Sequence, residues 1–152
     1  MSDRPLRARA ALAFEIARLD RQRFNEAVAA GNYRCAPPTT RGAARIFDVD
    51  DIIAMFLYGR LVEWEIPPRR AGSIACQLRE RLDQEAPPQR LHFFKAIAGM
   101  SVVFENVGSA EEVTTIVNGK PVGFSVCIYV DHIREHVLKN LKEAPIMVGG
   151  DE

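Results

Sequence analysis

Residues 13–31, AFEIARLDRQRFNEAVAAG, decide how this chain is read. Two runs of helical spacing meet there, separated by one polar break. In the first run Leu12, Ile16 and Leu19 recur at near-helical intervals, and Phe14 and Ala17 widen the apolar stripe. Asp20 interrupts the pattern and is a good N-cap, since a short carboxylate accepts the orphan N–H groups of a first turn. A second helix is expected over 21–30, with Phe24, Ala27 and Val28 on its inner face and Gly31-Asn32 forming a left-handed cap. Its outward positions begin with Arg21, Gln22, Arg23 and Asn25.

Working outward, residues 1–7 are polar and arginine-bearing and read as a mobile arm. Residues 33–36 read as a short strand, residues 37–42 (PPTTRG) as a loop, and residues 44–47 as a returning strand. Asp48 caps a third helix with Asp50 and Asp51 in its first turn, where the helix dipole favours acids. Ile52, Ile53, Met55, Phe56 and Leu57 cover much of that helix, so it should be central. Ile66-Pro67 opens a fourth helix, proline suiting the first helical position. Tyr58 should pack with its hydroxyl at the surface, and Trp64 should close over the core as a lid. The prolines of 86–89 (APPQ) mark the domain boundary.

Beyond the boundary the period changes to two. Strands are expected over 91–97, 101–107, 113–117 and 122–130, with a tight hairpin at Asn118-Gly119. Asp131 then caps an amphipathic helix bearing Ile133, Val137, Leu138 and Leu141, and a disordered tail follows from Pro145. The expected architecture is α+β. An N-terminal, mainly helical domain spans 8–85, and a small antiparallel sheet with one covering helix, for dimerisation or sensing, spans 90–144.

Charge is segregated although the 152-residue chain is formally neutral. Fifteen of sixteen arginines precede residue 91, and all four lysines follow it. A basic head on an acidic body points to different partners for the two halves. Apolar and charged fractions of 47% and 26% are those of a folded protein. No apolar run is long enough to span a membrane and no secretory signal is visible. Cys35, Cys76 and Cys127 are odd in number, far apart and without a CxxC pair, which favours three unbonded thiols in a reducing cytosol.

The order helix, tight turn, helix, wing, helix, helix over 13–82 resembles the MerR-type winged helix-turn-helix family. Gly31 matches the glycine before the wing, Pro37 or Pro38 the proline that opens it, and Arg45 with Phe47 the Arg-x-aromatic pair that closes it. Asp48, Asp51, Ile52, Met55 and Phe56 match the capped helix that follows, and Trp64-Glu65-Ile66-Pro67 loosely match the turn into the next. The turn at Leu19-Asp20 is about two residues shorter than the family's, and Pro87-Pro88 stand where its dimerising coiled coil would begin. The resemblance therefore implies the DNA-binding half, but not the family's dimer geometry, effector pocket or activation mechanism.

In such a module the second helix enters the major groove. Arginine pairs with guanine edges, and glutamine or asparagine with adenine. Arg21, Gln22 and Asn25 are accordingly the expected base readers, with Arg23 open between base and phosphate; an ordinary solvated helix face is the bland reading. Thr39, Thr40 and Arg41 of the wing are expected on phosphate or in the minor groove. Arg45 is balanced between a phosphate contact and a salt bridge to the Asp48–Asp51 cluster. Arg69 and Arg70 stand in the first turn of the fourth helix, where positive charge opposes the dipole, which hints at an anionic partner.

Other chemistry is thin. His132 and His136 are four apart on a helix but lack an HExxH context, and no metal or cofactor is expected. His92 reads as structural. No nucleophile context or phosphate loop appears, so an enzyme is a poor reading. The expected function is a cytoplasmic, nucleoid-associated transcriptional regulator that binds double-stranded DNA as a homodimer, repression by promoter occlusion being the simplest mechanism. Two other readings stand beside it. One is a ligand-responsive regulator with Phe93, Phe104, Phe124 and Tyr129 around a small-molecule effector. The other is a protein-interaction adaptor whose arginines meet acidic proteins.

Overall fold

The computed structural model describes residues 6–39, 42–84, 89–96, 100–105, 116–117 and 120–144, giving backbone pairing alone for strand residues 92–96, 100–105, 116–117 and 120–126. The fold is mixed α+β. In chain order the elements are β1 (Arg7–Arg9), α1 (Ala10–Ala17), α2 (Arg21–Ala29), β2 (Ile46–Asp48), α3 (Val49–Glu63), α4 (Pro68–Leu82), β3 (Arg90–Ala96), β4 (Met100–Glu105), β5 (Ile116–Val117), β6 (Lys120–Tyr129) and α5 (Val130–Glu143). Two compact units result: 1–80 with 133–152, and 81–132. Residues 133 onward of α5 thus group with the first half of the chain.

In the first unit, α3 is the central helix, as its all-round apolar surface predicts. Ile52, Ile53, Ala54, Leu57 and Leu61 are fully buried. It starts in a reciprocal capping box: Asp51 N–H donates to Asp48 Oδ1 (2.8 Å) and Asp48 N–H to Asp51 Oδ2 (2.9 Å). Both orphan donors are thereby satisfied. Residues 133–144 add three contacts to this unit. Arg134 Nη1 reaches Asp50 Oδ1 (3.5 Å), the His136 ring lies 5.6 Å from Phe56, and His136 Nε2 donates to the Ile16 carbonyl (3.3 Å). Asn140 Nδ2 stands 3.3 Å from His136 Nδ1, which must therefore accept.

An aromatic cluster joins the helices. Phe24 of α2 has no exposed surface and packs edge-on against Tyr33 (4.8 Å between centroids), Phe14 (5.3 Å), Phe47 (6.5 Å) and Tyr58 (6.5 Å). Each edge-to-face pair adds about 0.5–1.5 kcal/mol beyond burial. Ala27 completes the inner face of α2, while Val28 is half-buried. The inner face of α1 is Ala13, Phe14, Ile16 and Ala17; Leu12 and Leu19 are only half-buried.

Several expectations are corrected. The segment 33–36 is a succession of turns rather than a strand, and β2 pairs antiparallel with β1, Ala8 opposite Phe47. The wing hairpin expected from 33–36 and 44–47 is therefore not formed, and Arg7, assigned to a mobile arm, lies in β1. The reason is burial: Ala8 (5% exposed) and Phe47 (1%) share the inner side of this ladder, a long-range apolar contact that local turn rules miss. Helix α4 begins at Pro68, one residue after the expected proline. Trp64 is 56% exposed in the turn between α3 and α4 instead of lidding the core.

The three-thiol expectation fails as well. Cys35 and Cys76 form a disulfide with Cα atoms 5.4 Å apart, and Cys127 lies outside any disulfide. The pairing is invisible in the sequence because 41 positions separate the two. Close approach of α4 to the end of α2 brings them together: Gly72 faces the Asn32 carbonyl so closely that a Cβ there would collide with it.

In the second unit the strands form an antiparallel sheet in the order β4-β3-β6-β5. Leu91 pairs with Phe104 and Ile128, and His92 with Val103 and Cys127. Val117 opposite Lys120 brackets the expected hairpin, whose Asn118 and Gly119 lie outside the described residues. Tyr129, expected around an interior cavity, is 48% exposed and stacked on His132 (5.2 Å). The side chains of Phe93, Phe104 and Phe124 lie outside the described residues. Among the described residues no helix is long and apolar enough to cross a membrane.

Candidate nucleic-acid interface

Helix α2 is set by both its ends. Asp20 accepts the Arg23 N–H at 2.9 Å as its N-cap, and Gly31 adopts φ +78° with Asn32 N–H bonded to the Ala27 carbonyl at 2.9 Å. The turn before it comprises Arg18, Leu19 and Asp20. Helix α1 ends with Arg18 in the left-handed region (φ 51°), Leu19 N–H bonding back to the Phe14 carbonyl at 3.1 Å. Glycine usually occupies such a cap. Here a tertiary contact holds an arginine in it. Arg60 of α3 donates from Nη2 to the Arg18 carbonyl (2.6 Å) and from Nη1 to the Ala17 carbonyl (3.4 Å), while its Nε pairs with Glu63 (3.0 Å). A cation on the last carbonyls of α1 also complements that helix's dipole. Gly59 lies beneath: a Cβ there would already touch Leu19 Cδ1 at 3.4 Å.

The outward side of α2 carries the expected readers. Arg21, Gln22, Arg23 and Asn25 are all exposed. Arg21, Gln22 and Asn25 line one open face together with Glu26 and Ala29, and Gln22 Nε2 rests on Glu26 Oε1 at 3.2 Å. Arg21 and Asn25 also meet Thr39 and Arg45 across a groove of about 250 Å3 floored by Phe14 and Phe47. The helix face and the segment leading into β2 thus form one continuous surface. Arg23 lies on the opposite flank, in a cleft of about 740 Å3 with Arg18, Asp20 and Glu26. Thr40 and Arg41 lie outside the described residues.

The acids expected to pair with Arg45 are taken by a residue that the sequence did not single out. Arg79 of α4 takes the acids of the α3 cap, Nε to Asp51 Oδ1 at 2.9 Å and Nη2 to Asp48 Oδ2 at 3.2 Å. Arg45 forms no ion pair among the described residues, and its enclosed Nε has no hydrogen-bond partner there. Burial pushes the Asp51 carboxyl above the ordinary carboxylate value, opposed by the Asp48 N–H and the Arg79 guanidinium. Burial likewise raises the phenol of Tyr33, reinforced by the nearby Asp51 charge, and that of Tyr58.

Arg60 and Arg79 escaped sequence reasoning because nothing in their local spacing distinguishes them from solvated arginines; the carbonyls that Arg60 caps and the acids that Arg79 holds lie 28–43 positions away. Among the described residues no group of three or more His, Cys, Asp or Glu side chains is placed to hold a metal. Neither family models nor curated proteins yield a match to this chain.

Proposed function

We propose that this chain is a sequence-specific duplex-DNA-binding regulator, a MerR-like helix-turn-helix protein whose helix α2 enters the major groove. The observation that carries the reading is Arg45. Among the described residues it pairs with no carboxylate, and it shares a groove with Arg21, Asn25 and Thr39 beside the exposed face of α2. A guanidinium with no internal acid can offer its outer N–H groups to a phosphate oxygen. Arg21, Gln22 and Asn25 then read base edges, while Thr39 and Arg45 hold the backbone. Arg23, on the far flank of α2, is a phosphate contact. Residues 37–39 and 42–45 then play the part of a wing. The protein acts as a homodimer in the nucleoid, since one small module makes few base contacts and two-fold pairing doubles the site. Promoter occlusion gives repression.

Anisotropy of a labelled duplex, titrated with protein at several salt concentrations, tests this. Binding should weaken steeply with salt, and Arg45→Ala should lower the log–log slope by about 0.9, one phosphate's share. Arg21→Ala with Gln22→Ala should erase sequence preference while leaving non-specific binding. No measurable binding at low salt would sink the reading and favour an adaptor for acidic proteins.

A further inference from the structure

Between the end of α2 and one face of α4 lies a polar cleft of about 620 Å3 whose lining includes Arg34, Arg69, Ser73, Cys76, Gln77 and Glu80. Cys76 opens into it, whereas its disulfide partner Cys35 does not line it. Arg34, Arg69 and Glu80 have no hydrogen-bond or ion-pair partner among the described residues, and both arginines are exposed. Arg69 stands in the first turn of α4, against the helix dipole, with no internal acid to offset it. Cys76 of the disulfide therefore lines a cleft whose walls also carry two cations and, one helical turn beyond Cys76, a carboxylate. Gln77 Nε2 donates to Ser73 Oγ (3.2 Å), which leaves the serine O–H and the glutamine carbonyl for a polar ligand.

We propose that the Cys35–Cys76 disulfide is an exchange site for a small peptide-like thiol bearing two carboxylates and an ammonium group. Arg34 and Arg69 receive the carboxylates, and Glu80 the ammonium. The thiolate attacks Cys76 Sγ: a bond forms between the ligand sulfur and Cys76, the Cys35–Cys76 bond breaks, and its electron pair leaves on Cys35, which takes a proton from water. A second thiolate attacks the ligand sulfur of the mixed disulfide, the two ligand sulfurs join, and Cys76 departs as thiolate. Two thiols are oxidised to one disulfide while the protein disulfide is reduced to two thiols. The Cys35 N–H, which donates to Cys76 Sγ at 3.2 Å, stabilises the thiolate released in the second step. Exchange frees the turns 33–36 from their covalent tie to α4. The site stands independently of the DNA-binding reading.

The test uses the full oxidised chain, with glutathione as the charged probe and 2-mercaptoethanol as the neutral one. Each reduction rate is divided by that thiol's rate on a neutral dialkyl disulfide, which removes differences in intrinsic reactivity. The normalised rate should favour glutathione by about tenfold at low salt and lose most of that advantage at about 0.5 M sodium chloride. Arg34→Ala with Arg69→Ala should bring the two thiols within about twofold, and because the readout is a ratio on one protein it tolerates any change in stability. Peptide mass spectrometry after an alkylating quench, which keeps Cys127 separate, should find the first adduct on Cys76; in Cys35→Ser, whose Cys76 is a thiol, oxidised glutathione should form the same adduct and release one glutathione thiolate. A ratio near unity in the unaltered chain, an advantage that survives the double substitution, or a first adduct on Cys35 overturns the proposal.

Discussion

Opening the Cys35–Cys76 bond should cost the first unit about 4 kcal/mol. The bridge closes a loop across 41 positions that contains the turns after α2, β2, the whole of α3 and half of α4. In the chain-entropy relation, a loop of that length withholds about 13 cal/mol/K from the unfolded chain, or about 4 kcal/mol at 25 °C. At roughly 2–4 °C per kcal/mol for a chain of this size, reduction should lower Tm by roughly 8–16 °C. Trp64 is a poor reporter because it is already exposed. Near-ultraviolet circular dichroism of the buried Tyr33 and Tyr58 is the better signal, followed in urea with and without dithiothreitol. The native spectrum should be unchanged by reduction, since Phe24 and its neighbours hold the cluster without the bridge. The urea slope should rise, because a chain without the cross-link exposes more surface on unfolding. Coincident midpoints and equal slopes for the oxidised and reduced protein would refute the reasoning.

Replacing Gly72 by alanine should destabilise the protein by about 2 kcal/mol or more, although alanine is the better helix former: the new Cβ meets the Asn32 backbone carbonyl, which cannot swing aside, and the overpacking term exceeds the propensity gain of about 1 kcal/mol. A rise in Tm would contradict that close approach. Arg60→Ala should cost about 1–3 kcal/mol through the Ala17 and Arg18 carbonyls left uncapped, and Arg60→Lys should recover only part of it, since one ammonium cannot reproduce the guanidinium's span from both carbonyls to Glu63; urea midpoints of the three proteins decide this. Tyr33 sets an alkaline limit. Its phenol is raised in the folded state, so above pH about 10 the unfolded chain loses a proton that the folded chain keeps, and stability falls as pH rises. Each such tyrosine contributes about 1.4 kcal/mol per pH unit, so Tyr33→Phe should flatten the loss by that amount, and an unchanged slope between pH 10 and 11 would argue against its burial.

The legible parts of the fold are those in which local chemistry and tertiary packing agree. Asp20 and Gly31 bracket α2 because a carboxylate cap and a left-handed glycine are local requirements, and Phe24 with Ala27 fixes its inner face without reference to anything distant. The α3 cap is similar, Asp48 and Asp51 satisfying each other three residues apart. Where a distant partner decides, local rules fail. A three-residue strand such as β1 is too short to show a period, so the sequence pattern pairs β2 with 33–36 in place of Arg7–Arg9. Arg18 ends α1 in a conformation that its own side chain does not favour, because Arg60 holds its carbonyl. The groove joining Arg21, Asn25, Thr39 and Arg45 was half legible: the residue types were apparent, but their meeting depends on where Phe47 places the chain entering β2.

The arginine bias that separates the two halves of the chain is therefore two populations under one count. Arg60, Arg79 and Arg134 are spent inside the fold on carbonyls and carboxylates, and their charge is neutralised where it stands. Arg23, Arg34, Arg45 and Arg69 have no such partner among the described residues, and they sit on surfaces that also present hydroxyl or amide groups. A counterion-release slope reports only the second population, because an arginine already paired with Asp51 releases no counterion from a phosphate. Arg79→Ala should for that reason weaken the fold and leave the salt slope of any surviving DNA complex unchanged, whereas Arg45→Ala should do the reverse. That crossed pair of outcomes separates a surface built for a polyanion from a helical domain that merely happens to be rich in arginine.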